Sequence, residues 1–295
     1  YEDSDLIVFN KPPGLAVHGG SATDFGLIEA LRGARPGQPD LELVHRLDRD
    51  TSGCLLVAKR RAALRDLHLQ LREGQTEKHY LALVCGKWNL GTKRIELALD
   101  TDERRSGERH VAVRAHGKKS VSTFKPVQFF GNLATLMEVE IDTGKTHQIR
   151  VHAAHAGHPV AGDDKYGNRI FNGIFKDYGL KRMFLHSSSL GFTRPGTREP
   201  MLASAPLPPE LSAVLDTLTR GKARAPQDER GKTLKPEGAR GPIVAPRVHR
   251  PAPVVQAGKP RMGNPRIGGA KPGLAKGSGP VRGEGRRRAR TTGGR

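Results

Sequence analysis

Cysteine and aromatic residues are scarce in this chain: 2 Cys, 1 Trp, 4 Tyr and 9 Phe in 295 residues. Two thiols cannot staple a small secreted fold. Cys54 and Cys85 both sit in apolar, strand-like runs and read as buried, reduced thiols of a cytoplasmic protein. No apolar run approaches the roughly 18 to 20 residues that a membrane span needs, and no signal-peptide pattern opens the sequence. There is no GxxxxGK phosphate loop, and Gly26 and Gly33 make no dinucleotide fingerprint, so no nucleotide cofactor is expected. His147, His152, His155 and His158 crowd one segment, with Asp163 and Asp164 after them. Their spacing is not the i, i+4 pair of a helical zinc site and no cysteine joins them, so no metal is expected.

What is plentiful is positive charge. Lys and Arg number 50 against 30 Asp and Glu, a formal charge of +20, with a pI near 10.4. Such a balance points to polyanions: RNA, DNA or an anionic membrane surface. The charge is uneven. Residues 221–295 hold 19 Lys and Arg against 4 Asp and Glu, or +15, leaving +5 for residues 1–220. The same stretch holds 15 Gly and 10 Pro and no Phe, Tyr or Trp. It cannot bury enough apolar surface to offset its ordering entropy. Residues 219–295 are therefore expected to be a disordered basic tail. It is either a solubilising extension or a non-specific attractor of phosphate, strongest at Arg286, Arg287 and Arg288.

Residues 1–218 read as one strand-rich domain. Apolar runs at 6–9, 54–58, 80–84, 94–99, 110–114, 121–130 and 133–141 predict strands, and Gly131-Asn132 predicts a tight turn between the last two. Asp24 can cap a short helix through Leu31. Leu64, Leu67 and Leu71 place a helix over 62–72. Further helices are predicted over 148–156 and 208–218, the latter with Pro in its first turn. Strands in meander-like succession with few helices argue an α+β fold. The chain opens on Tyr1 and runs straight into strand-like sequence, as a piece of a longer protein would.

The run His45-Arg46-Leu47-Asp48-Arg49-Asp50-Thr51-Ser52-Gly53 holds an acid beside a cation in a polar turn bracketed by apolar segments. Asp48 is either a working nucleophile or base, or a turn carboxylate paired with Arg46 or Arg49. Two other segments could complete a site. In Lys78-His79-Tyr80 an aromatic opens a buried strand, though Tyr80 alone reads equally as a core residue. In Gly144-Lys145-Thr146-His147-Gln148-Ile149-Arg150 a helix N-terminus, which favours anions, carries Arg150 one turn in. Alone, that arginine reads as a structural ion pair.

Taken together these segments resemble the RluA-type pseudouridine synthases. The matching blocks run in order: Asn10 to Gly14 with Val17-His18; His45 to Gly53 with Leu55 to Lys59; Lys78 to Gly86; Thr143 to His152 with Gly157 to Gly167; and, more weakly, Met183 to His186 with Ala205 to Pro208. His18 to Ser21 and Ser106 to Arg109 are similar to the RluC group, which modifies large-subunit (23S) ribosomal RNA. Lys145 departs from the pattern, where Arg is commoner; Lys lacks the bidentate fork. The tail lies outside the resemblance.

The resemblance implies a mixed, mainly antiparallel sheet flanked by helices and loops, with no cofactor. It implies a cytoplasmic isomerase acting on 23S RNA, free or in a pre-ribosomal particle, and monomer is the default expectation. An S4-type RNA-binding domain usually lies upstream in this group and is expected to be missing from this piece. By the same resemblance Asp48 is the single catalytic carboxylate, attacking C1′ or C6 or removing the 2′ proton. Arg150 orients it, and Tyr80 stacks on the uracil and assists proton removal from C5. Arg46 fills the space left by a flipped base, Ile149 and Leu185 wall the pocket, and Lys145 and His147 contact RNA. A non-catalytic ribosome-assembly protein and a metal-dependent nuclease using Asp48, Asp50 and the histidines are the competing readings.

Overall fold

The computed structural model describes residues 1–19, 25–103, 109–221, 226–227 and 231–236. Asp24 and most of the expected tail lie outside the described residues. In chain order the described residues form β1 (Leu6–Lys11), α1 (Leu27–Ala34), β2 (Glu42–Leu43), β3 (Ser52–Ala58), α2 (Arg61–Glu73), β4 (Glu77–Cys85) and β5 (Lys93–Glu103). There follow β6 (Arg109–Val113), β7 (Lys118–Phe130), β8 (Ala134–Ile141), α3 (Gln148–His155), α4 (Arg169–Asp177), β9 (Leu185–Thr193), β10 (Pro200–Ser204) and α5 (Pro209–Arg220). The α+β reading stands.

The strands make one sheet in the order β1-β3-β9-β4-β8-β7-β5-β6, with β10 on β9 and β2 on β3. The β4–β8–β7–β5–β6 half is antiparallel throughout. The meander breaks at β9, which inserts between β3 and β4. It pairs antiparallel with β4 and parallel with β3, Ser52 opposite His186 and Gly53 opposite Ser187. Gly53 has φ +111, and a Cβ there would overlap the Ser187 carbonyl oxygen. Glycine permits that approach.

Local chemistry explains most elements. In β4, Lys78, Tyr80 and Ala82 are buried while His79 and Leu81 are half-buried, the two-residue period of a strand. Gly74 ends α2 in the left-handed conformation, φ 69, as helix ends favour. Asn168 caps α4, its side-chain oxygen accepting from the Ile170 and Phe171 N–H groups. At α1 the Glu29 carboxylate accepts from the Gly26 and Gly19 N–H groups. The final helix ends at Arg220, not Leu218. Beyond it, Gln227 bridges Thr233. One core cluster joins Leu47, Tyr80, Ala82, Ile141, Ile149 and Leu185, so the hydrophobic interior forms the floor of a surface cleft.

Candidate active site

Asp48 lies in the loop between β2 and β3, its side chain 18 % exposed. The loop is tied down from below. The Thr51 N–H donates to the Asp48 carbonyl at 3.1 Å, closing the turn, and Gly14 N–H donates to the Arg49 carbonyl at 2.9 Å. Lys11, fully buried, spends its ammonium on three carbonyls: Pro12 at 2.8 Å, and Leu15 and Arg49 at 2.9 Å each. Burial pulls this lysine down to about 8, and three acceptors satisfy its three donors. Arg49 pairs with Asp50, at 3.2 Å.

The opposite wall is the start of α3. Gln148 is buried. Its amide donates to the Val121 carbonyl (2.8 Å) and Ser122 Oγ (2.9 Å), while its oxygen accepts from Thr143 Oγ1 (2.8 Å) and the Lys145 N–H (3.1 Å). This docks the helix start on β7. His147 precedes the helix in the left-handed region, φ 52, where a side chain other than glycine is strained. Arg150, one turn in, donates to Asp48 Oδ2 at 3.3 Å. Its stronger partner is Asp163, which receives Nε at 2.7 Å and Nη2 at 2.9 Å.

Asp163 also accepts from the Lys165 and Tyr166 N–H groups and is 1 % exposed. Burial alone would raise its carboxyl, but Arg150 and these N–H groups outweigh burial and hold it below the usual range. Burial likewise works against the charge of Arg150. Asp163, then Asp48, outweigh it and raise the guanidinium further. Asp48 is thus served by a cation whose position is set by a second, buried acid.

Between these walls lies a cleft of about 660 Å³ lined by all eight predicted site residues: Arg46, Asp48, Tyr80, Lys145, His147, Ile149, Arg150 and Leu185. Tyr80, Ile149 and Leu185 are buried in its floor, and Arg46 and Lys145 stand exposed at its rim. Burial raises the Tyr80 phenol well above its ordinary value, against a hydrogen bond with Ser187. Burial holds His147 down at about 4, against the pull of Asp48; its Nε2 lies 3.8 Å from Asp48 Oδ2 as a neutral ring. Lys78, also buried and lining the cleft, donates to Thr76 Oγ1 at 3.1 Å.

Sequence reasoning missed three parts of this arrangement. Asp163, Lys11 and Gln148 all lie inside the matching blocks, yet nothing in the sequence gives them these roles. Among the described residues no three His, Cys, Asp or Glu side chains gather as metal ligands would. The two thiols are free and buried. No helix among the described residues is long and apolar enough to cross a membrane.

Residues 5–155 match the family model described as RNA pseudouridylate synthase. The chain is 51 % identical over 223 residues to the ribosomal large subunit pseudouridine synthase C of Pasteurella multocida (strain Pm70), covering 76 % of this chain and 68 % of that protein. It is 50 % identical over 224 residues to the protein of that name from Escherichia coli (strain K12), covering 75 % and 70 %. Among solved structures, human RNA pseudouridylate synthase domain containing 1 superposes with a TM-score of 0.59 at 28 % identity, covering 75 % of this chain and 91 % of that one. The human domain containing 4 protein shares the fold, with a TM-score of 0.59 at 24 % identity over 74 % and 92 %.

Proposed function

Given that the chain belongs to the RNA pseudouridylate synthase family, in its RluA type and close to the RluC group, and is an RNA pseudouridine synthase, we propose that it isomerises uridines of large-subunit (23S) ribosomal RNA in the cytoplasm, with Asp48 as the reacting carboxylate. The relatives are named for the ribosomal large subunit and for pseudouridine synthesis. The reaction breaks the N1–C1′ bond, turns the uracil in place, joins C5 to C1′, moves the C5 proton off and leaves a proton on N1. Atoms are conserved and no electron is gained or lost, so one carboxylate and a shaped cleft are enough.

The observation that carries the proposal is the 3.3 Å contact between Arg150 and Asp48 at the edge of an apolar floor. The guanidinium orients the acid and stabilises its charge where water is scarce. Asp48 attacks C1′ or C6, or takes the 2′ proton. The base must leave its stack, at a cost of a few kcal/mol. Stacking on Tyr80 returns about 1 to 3 kcal/mol, Ile149 and Leu185 close on the ring edges, and Arg46 fills the vacated position. Tyr80 also assists removal of the C5 proton. Lys145, exposed at the rim, contacts the RNA strand, and His147 borders the bound nucleotide beside Asp48. Residues 1–220, to the end of α5, form the catalytic domain, with the remainder to residue 295 as a basic tail, and the chain acts as a monomer.

Asp48→Asn keeps the shape and removes the charge. Carbodiimide mapping of 23S RNA incubated with the variant is expected to show no pseudouridine, with RNA affinity within about threefold of the parent. A turnover above roughly one per cent of the parent's would remove Asp48 from the reaction, since loss of a covalent nucleophile costs several orders of magnitude.

A further inference from the structure

Behind the cleft wall two hydrogen bonds link Val111, Tyr166 and His147, whose ring faces Asp48. Tyr166 is 5 % exposed and follows the Asp163 turn. Its oxygen accepts the Val111 N–H of β6 at 2.9 Å and lies 2.8 Å from His147 Nδ1. The ring sits beneath Arg150, whose Cζ is 5.0 Å from the centroid. On the far side of His147, Nε2 stands 3.8 Å from Asp48 Oδ2, the oxygen that Arg150 also touches.

Counting protons decides the direction of the chain. The phenol oxygen already receives the Val111 N–H, so its own hydrogen is free to go to His147 Nδ1. The reverse would strand the phenol hydrogen and aim an Nε2 lone pair at a carboxylate. Asp48, Asp163, Arg150, Lys165 and Tyr166 surround the imidazole. The two acids favour a second proton, the two cations oppose it, and burial keeps the ring neutral. The one remaining proton is therefore on Nε2, facing Asp48.

We propose that Tyr166 is a positioning residue for the reaction, acting through His147: it fixes the Nε2–H tautomer so that the imidazole and Arg150 together anchor Asp48 Oδ2 and leave Oδ1 for the substrate. At 3.8 Å the imidazole contact is poised, not formed, and it tightens when RNA fills the cleft, as apo contacts of this kind do. The left-handed backbone of His147 is the strain that aims the ring both ways at once. The proposal rests on Asp48 being the reacting carboxylate.

The test has a part that does not depend on that reading. In the full chain labelled with 15N-histidine, without RNA, two-bond proton–nitrogen correlations at pH 7 are expected to show His147 neutral with its proton on Nε2. A proton on Nδ1, or on both nitrogens, overturns the proposal whatever Asp48 does. The second part is kinetic. Tyr166→Phe keeps the ring under Arg150 and removes only the hydroxyl. It is expected to lower kcat on the order of 10- to 100-fold, as the loss of a hydrogen bond to a charged group would, with KM changed less than about threefold. His147→Gln can present an N–H without help from Tyr166. The double variant should then be no slower than His147→Gln alone, because the two residues act in series. Single effects that multiply in the double variant would reduce Tyr166 to a structural role and overturn the proposal. If Tyr166→Phe alone folds poorly, the tautomer measurement on the parent chain still decides.

Discussion

Asp163 shows how a residue far from any substrate can control the site. Its two oxygens take the Nε and Nη2 of Arg150 and two backbone N–H groups while it is almost wholly buried. Removing one partner of such a pair leaves a buried charge uncompensated, at a cost of about 3 to 5 kcal/mol. Asp163→Ala is expected to lose that much stability in urea titration and nearly all activity, because the released guanidinium can swing onto Asp48 and block it. A loss under about 1 kcal/mol would mean that water reaches Arg150 and that the clamp is ornamental. The residues of the site were legible very unevenly. Asp48 and Arg150 stand out because an acid in a Gly-ended turn and a cation at a helix start are local patterns. Asp163 does not, because its partner is chosen by folding and 13 residues of separation carry no periodic signal. Lys11 is the same case: a lysine in a Pro-Pro-Gly turn gives no hint that it will be buried under the loop of Arg49.

At the scale of elements, the insertion of β9 decides where the cleft forms. Leu185, its first residue, is held at the floor by its pairing with Ala82 of β4 and by the Ser187–Gly53 pairing just beyond it. Gly53→Ala puts a Cβ into the Ser187 carbonyl at a φ that side chains rarely adopt. It is expected to cost more than about 2 kcal/mol, the sum of backbone strain and overpacking, and to lower activity by shifting the Asp48 loop. Chemical denaturation checks it, and a cost below about 0.5 kcal/mol would show that the two strands separate freely. The helices α2 and α3 and the strands β4, β7 and β8 were readable from their apolar period and turn residues. Strand β9 was not. Its Ser187-Ser188-Ser189 run breaks the alternation, and its burial comes from its position between β3 and β4. Helix α4 does carry local signals that sequence reading passed over: Asn168 caps it, and Ile170, Phe171, Ile174 and Phe175 recur at helical spacing around an interior glycine, with Phe171 and Phe175 anchored in the core.

For the whole molecule, two expectations follow from charge. Burial holds His45, His147 and His152 each at about 4, against about 6.5 in an unfolded chain. Between those values the unfolded chain binds protons that the folded one refuses. Stability is therefore complete above about pH 6.5 and is lost as pH falls towards 4, by at most about 1.4 kcal/mol per pH unit for each histidine. Urea midpoints are expected to drop steadily from pH 7 to pH 5, and a level midpoint would show that the rings titrate normally. The +15 carried by residues 221–295 should act on RNA through released counterions. Truncation after Arg220 is expected to weaken binding mainly at low salt and to flatten the plot of log affinity against log salt. Identical slopes would leave the tail without a part in binding.

By itself the sequence determined the chemical inventory of this protein: which acid, which guanidinium and which aromatic are on offer, the α+β class, and a strongly basic end. The class and the basic end follow from composition, period and turn chemistry, which act between neighbours along the chain; the acid, the guanidinium and the aromatic are singled out by the family resemblance. Only the tertiary structure decided that Arg150 answers chiefly to Asp163, that β9 lies parallel to β3, and that the His147 ring stands between Tyr166 and Asp48. Such contacts join residues that are distant in the chain, and what selects them is the packing and desolvation of the folded whole, which no local pattern records.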